Sequence, residues 1–379
     1  MRSAPLPAPW LQRLQSLDLE REKKGRSRRI EAPRGLDFCS NDYLGLRRDP
    51  RLAEAAAQAA WKHGAGSGAS RLLRGTSPLH DQLERELADW KGMESALLFN
   101  TGFQANATLL PALLGPGDAV FSDALNHASL VDGCRMAKAG GATVGIFAHL
   151  DWADLESRLQ DWRATAHPDS LLLVATDAIF SMDGDAADLP GLRRLCDAFD
   201  ALLMVDEAHA SGLLGPEGVG LAGLQGVAPD LLMGTLGKAL GSSGAFVCGN
   251  TLLIRHLVNT CRGFIYSTAL PPAAVGAAIE GLRLARTEPW RREQALHKAA
   301  RIRTALGLPG QPSAIVPVVL GEDTRAVEVA GKLQAKGFDV RAVRPPTVPE
   351  GSARLRITTG AHQQDDEVDA LIRTLKEVL

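Results

Sequence analysis

Between residues 94 and 249 the chain alternates short apolar runs with stretches of helical spacing, and that alternation admits few architectures. The runs fall at 96–99, 119–122, 143–147, 171–175, 202–205, 231–233 and 245–248, and most are apolar on both faces. Strands of that kind need cover on both sides, which a mainly parallel sheet between layers of helices provides. The expected fold class is therefore α/β. Polar residues follow the runs directly: Asn100-Thr101-Gly102, Asp123, Asp177, Asp206 and Thr235. Open α/β sheets bind ligands beyond the carboxyl ends of their strands, so these groups gather on one functional edge.

The flanking regions follow other patterns. Trp10, Leu11, Leu14 and Leu17 have helical spacing and run into a basic stretch ending at Arg29, which reads as an amphipathic arm. An Ala-rich helix at 51–62 leads into the loop His63-Gly64-Ala65-Gly66-Ser67-Gly68. Ser77-Pro78 supplies an N-cap and first-turn proline for a helix closed by Gly92. Beyond 275, helices at 272–287, 290–306, 324–336 and 364–378 mingle with apolar runs at 315–320, 338–343 and 354–358. The expected division is an arm (1–45), a large domain (46–275) and a smaller α+β C-terminal domain (276–379).

Charge and cysteine content narrow the partners. A net charge of −2 offers nucleic acid or an anionic membrane no attraction. No apolar stretch approaches the ~18–20 residues that span a bilayer, and the amino terminus lacks a signal-peptide core. A cytoplasmic location is expected. Cys39, Cys134, Cys196, Cys248 and Cys261 are scattered, with no Cys/His cluster at metal spacing, so reduced thiols and no metal are expected.

Lys238 stands in Gly234-Thr235-Leu236-Gly237-Lys238-Ala239-Leu240-Gly241, just after one run, and Asp206 ends another in Asp206-Glu207-Ala208-His209. Taken alone, Lys238 reads most often as a surface lysine, and Asp206 still more often as an ordinary strand-end aspartate. At one sheet edge they form the pair that pyridoxal-phosphate (PLP) chemistry needs. The amine captures the cofactor aldehyde, and the carboxylate keeps the pyridine nitrogen protonated. Asn100-Thr101-Gly102-Phe103-Gln104-Ala105-Asn106 opens a helix whose free N–H groups suit a phosphate, and Thr235 could add a hydroxyl. His127 reads either as a ring stacked on the cofactor or as a helix cap. The Lys238 loop is not a P-loop, because its spacing fails and Ala239 replaces the magnesium-binding hydroxyl. Asp206-Glu207-Ala208-His209 spells a helicase box but has no phosphate loop upstream. The 64–68 loop lacks dinucleotide spacing.

Taken in order, these segments resemble the α-oxoamine synthases, PLP enzymes of fold type I (aspartate aminotransferase-like). The resemblance also runs through Ser40-Asn41-Asp42-Tyr43-Leu44-Gly45, Arg74-Gly75-Thr76-Ser77-Pro78-Leu79-His80, Phe180-Ser181-Met182-Asp183-Gly184-Asp185, Tyr266-Ser267-Thr268 and Arg354-Leu355-Arg356-Ile357-Thr358. It implies that Lys238 carries the cofactor and moves the proton, Asp206 pairs with the pyridinium and His127 stacks on the ring. His209 and Ser181 would lie by the phenolic oxygen. Gly102, Phe103 and Thr235 would hold the phosphate, joined by Ser267 and Thr268 of a second subunit in a homodimer with shared sites. Asn41 and Arg356 would hold the amino-acid carboxylate.

Arg344-Pro345-Pro346-Thr347-Val348-Pro349 is most similar to the branch that condenses L-alanine with a pimeloyl thioester, carried by CoA or an acyl-carrier protein. Arg344 would then meet the far carboxylate of the pimeloyl chain, with Arg28 a second candidate. Relatives that use glycine with acetyl-CoA or succinyl-CoA are the near alternative, and a non-catalytic structural subunit the distant one. Asp177 stands where the family usually has glutamate, so a contact there reaches one methylene less far.

Overall fold

A computed structural model describes residues 4–28 and 30–379; Arg29 and the first three residues of the expected arm lie outside it. The apolar runs form a seven-stranded sheet: β1 (Ser95–Phe99), β2 (Ala119–Asp123), β3 (Thr143–Phe147), β4 (Leu172–Asp177), β5 (Leu202–Asp206), β6 (Leu231–Thr235) and β7 (Ala245–Gly249). Their order is β1-β7-β6-β5-β4-β2-β3. Only β7 runs antiparallel to its neighbours, pairing Thr235 with Ala245 and Phe99 with Ala245.

Alternate residues of one strand feed different cores. Leu203 and Val205 of β5 join one apolar layer with Leu172, Val174, Leu232 and Phe246, whereas Met204 joins the other with Leu173, Val120 and Val247. Both faces are thus apolar because both are covered, and burying each such side chain stabilises by about 1.5–3 kcal/mol. The expected strands at 171–175 and 202–205 run on to Asp177 and Asp206, whose backbones remain in register with each other.

A second body carries a three-stranded antiparallel sheet. In it β10 (Ala353–Thr358) lies between β9 (Arg341–Val343) and β8 (Ile315–Gly321). Its core contains Val316, Leu333, Leu355, Ile357 and Leu371, and also Phe38 from near the amino terminus. Leu36–Asp37 pairs with Phe338–Asp339, so this part of the arm region is stitched to the second body. The single run expected at 338–343 is consequently two short strands with different partners. Helix Pro272–Thr287 contributes Val275, Ala278 and Leu282 to the core of the large sheet.

Candidate active site

Adjacent parallel strands β4 and β5 bring Asp177 and Asp206 onto one rung. Asp206 is buried, and both its hydrogen-bond donors are neutral: Oδ1 accepts from the Ala208 N–H at 2.8 Å and Oδ2 from Asn106 Nδ2 at 2.7 Å. A buried carboxylate of this kind favours a cationic partner. Asp177 Oδ2 accepts from the His127 N–H at 3.2 Å, and among the described residues its buried Oδ1 has no hydrogen-bond partner. Burial, and then the neighbouring Asp206 charge, push the Asp177 carboxyl well above the usual range.

The turn after β6 carries Lys238. It is closed by Leu236 N–H to Gly244 O at 2.9 Å and Ser242 N–H to Leu236 O at 2.9 Å. Gly241 has φ +67°, and a Cβ there would come within 2.7 Å of Leu46, so the turn tolerates only glycine. Lys238 Nζ lies 2.8 Å from His209 Nε2, and His209 Nδ1 lies 2.7 Å from Tyr43 Oη. Burial pulls the Lys238 amine down to about 8; Asp206 opposes that shift and Arg356 adds to it. Burial, followed by the Lys238 and Arg356 charges, holds His209 well below the usual histidine range.

Arg356 reaches the same place from the small body. Its Nη2 donates to Asn41 Oδ1 at 3.1 Å and its Nε to the Ser181 carbonyl at 2.5 Å. Tyr43 Oη is 3.2 Å from the same Asn41 oxygen. Lys238, His209, Tyr43, Asn41, Arg356 and Ser181 therefore form one hydrogen-bonded chain across the junction of the two bodies.

At the carboxyl end of β1, Thr101 caps helix Gly102–Leu113 by accepting from the Gln104 N–H at 3.0 Å. The first-turn N–H groups of Gly102 and Phe103 have no intrahelical acceptor, as at every helix start, and form an anion cradle. Thr235 Oγ donates to Gly244 O at 3.1 Å and accepts from the Gly237 N–H at 3.2 Å. Asn100 Nδ2 donates to Ser267 Oγ at 2.8 Å and to the Thr268 carbonyl at 2.7 Å. Ser267 Oγ itself donates to the Thr268 carbonyl in a long 3.4 Å bond.

Arg344 and Arg28 come together, but in a separate groove between the arm and the small body. Arg344 donates to the Gly25 carbonyl, and Arg28 Nη2 lies 3.3 Å from Thr347 Oγ. Neither makes a hydrogen bond to the Lys238 chain. Arg344 lies one residue past β9, whose Arg341 pairs with Arg356. That places its backbone about 10 Å along the strand from the Arg356 rung.

Sequence reasoning gave no role to Tyr43, Asn106 or Ser129. Tyr43 and Asn106 stand inside segments already singled out. The available signal for Asn106 was an amide between Ala105 and Ala107 on the buried face of a helix.

The donor set suits PLP: an amine of lowered basicity for the aldehyde, a buried carboxylate with neutral donors for the ring nitrogen, and a helix-start cradle for the phosphate. Comparison with known proteins agrees. The family described as aminotransferase class I and II matches residues 33–375. An 8-amino-7-oxononanoate synthase of Anaeromyxobacter sp. (strain K) is 50% identical over 351 residues, covering 91% of this chain and 86% of that protein. Among solved structures, a serine palmitoyltransferase from S. paucimobilis with bound PLP has a TM-score of 0.89 and 29% identity, covering 97% of this chain and 98% of that one. The 8-amino-7-oxononanoate synthase of Francisella tularensis has a TM-score of 0.76 and 26% identity, covering 91% and 98%.

Proposed function

The chain belongs to the class I and II aminotransferase family, in its α-oxoamine synthase branch, and from that premise we propose that it makes 8-amino-7-oxononanoate for biotin synthesis. The reaction is a PLP-dependent condensation of L-alanine with a pimeloyl thioester that releases CO2 and the free thiol. The observation that carries this reading is the buried Asp206 carboxylate, held by neutral donors only, one strand from the lysine loop.

PLP, when bound, supplies an electron sink for the Cα of alanine. Lys238 Nζ would anchor the cofactor through its aldehyde and would be the base that takes the Cα proton of alanine. Asp206 keeps the ring nitrogen protonated, and His127 covers one ring face. His209 and Ser181 flank the phenolic oxygen. Arg356 and Asn41 would hold the alanine carboxylate and so fix the orientation of its Cα for proton removal. Gly102, Phe103 and Thr235 take the phosphate. Arg344, with Arg28 beside it, meets the terminal carboxylate of the pimeloyl group; one carbonyl acceptor leaves most of the five guanidinium donors of Arg344 free.

We read the working unit as a homodimer with shared sites. Leu73 and Tyr266, 83% and 72% exposed, lie within three residues of the Ser70–Thr268 bridge, and Phe103 of the helix-start cradle is exposed as well. Large apolar side chains left exposed near this bridge and at the cradle are better covered by a second copy than by water. No helix among the described residues is long and apolar enough to cross a membrane, and we assign the enzyme to the cytoplasm. The test is spectroscopic. Purified protein should bind PLP, and L-alanine should perturb its absorbance more strongly than glycine; absence of PLP binding would refute the reading.

A further inference from the structure

Asn106 has no part in the roles above, yet it is fully buried and bonded to Asp206, which does. Its Nδ2 donates to Asp206 Oδ2 at 2.7 Å and to Ser129 Oγ at 3.0 Å. An ionised carboxylate only accepts, so the nitrogen of the amide must be the end facing Asp206. Ser129 Oγ, accepting from Asn106, lies 2.7 Å from His127 Nδ1, and the Ser129 N–H donates to that same nitrogen at 3.2 Å. His127 Nδ1 is therefore an acceptor, which leaves the imidazole proton on Nε2. Among the described residues the buried Asn106 Oδ1 has no partner. An orphaned buried oxygen is costly, so packing alone would favour an apolar side chain of similar size.

We propose that Asn106 is a positioning residue that, through Ser129, locks the Asp206 carboxylate to the His127 ring and holds that ring in its neutral Nε2–H form. The inference rests on the reading that Asp206 and His127 serve the cofactor ring. A neutral imidazole can lie on a protonated pyridine without adding a like charge. The charged or titratable groups facing His127 are Asp206, Lys238 and His209, together with Asp177 at its backbone N–H. Burial lowers the basicity of His127, with Asp206 opposing and Lys238 assisting.

The experiment is nitrogen NMR on the apo-protein labelled with 15N-histidine, the His127 signals being assigned by their loss in His127→Gln. The wild type should show an unprotonated Nδ1 and a protonated Nε2 at neutral pH. Asn106→Ala frees the Ser129 oxygen to accept from Nδ1 and removes a donor from Asp206. The His127 pKa should then rise by about one unit, and the PLP dissociation constant should increase roughly ten-fold. A folded Asn106→Ala protein with wild-type His127 nitrogens overturns the proposal. Should that variant not fold, Ser129→Ala provides the test: altered His127 nitrogens support the relay, and unaltered ones overturn it. Failure of the wild type to bind PLP would strike the functional reading instead, and leaves the His127 tautomer as a separate result.

Discussion

Asp177 and Asp206 are register partners on neighbouring parallel strands, and burial beside the Asp206 charge favours the protonated form of Asp177. A carboxyl raised in the folded state loses its proton earlier when unfolded, so it lowers stability as pH rises from the unfolded value of about 3.9. Asp177→Asn removes that penalty with little change of shape. In the apo-protein the variant should melt above the wild type at pH 8, with the difference vanishing near pH 4. Equal melting temperatures at every pH would contradict the assignment.

The amine of Lys238, with a pKa of about 8, sets a second pH dependence. Only the unprotonated amine attacks an aldehyde. The rate of PLP capture by the apo-protein should therefore rise with pH through about 8 and then level. Lys238→Ala should fold normally and lose turnover by at least about 10⁴-fold, the upper range for a lost general acid–base group. Near-native turnover in this variant would remove Lys238 from its role.

Arg344 donates to a backbone carbonyl rather than to a carboxylate, which leaves it able to receive one. Arg344→Ala should cost about 2–5 kcal/mol in kcat/KM for a pimeloyl thioester, largely through KM. A neutral acyl thioester of similar length should react almost as before. Equal losses on both chains would detach Arg344 from the acyl terminus.

Asn100 fixes the Ser267 oxygen, whose hydroxyl makes only a long 3.4 Å bond to the Thr268 carbonyl and can turn from it to a phosphate. If that phosphate belongs to the neighbouring subunit, Lys238→Ala mixed with a Ser267→Ala/Thr268→Ala double variant forms some hybrid dimers with one intact site. Activity should return on mixing two inactive proteins. A fully active monomer in sedimentation would rule the arrangement out.

Much of this was legible in the chain because local chemistry wrote it. The strands of the large sheet announce themselves by being apolar on both faces, and Lys238 and Asp206 by following such runs directly. The illegible part is non-local. Asn106 meets Asp206 across a hundred positions, and nothing near either residue signals the contact. Tyr43 lies in a recognisable segment, but its bond to His209 spans 166 positions and depends on how that segment packs into the large-sheet core. The break at Val340 was hidden for the same reason: two partners, not the run itself, divide the strand. Helix Ala8–Lys23 has the expected spacing yet buries none of its residues, so periodicity gave its form without a partner for its apolar face.

The most direct measurement is a condensation assay with PLP-loaded protein, crossing L-alanine and glycine with pimeloyl, succinyl and acetyl thioesters and following free thiol, CO2 and product mass. The expected result is one dominant combination, L-alanine with the pimeloyl thioester, giving one CO2 and one thiol per 8-amino-7-oxononanoate. Preference for glycine with a shorter thioester, or no condensation by a protein that binds PLP, would contradict the assignment.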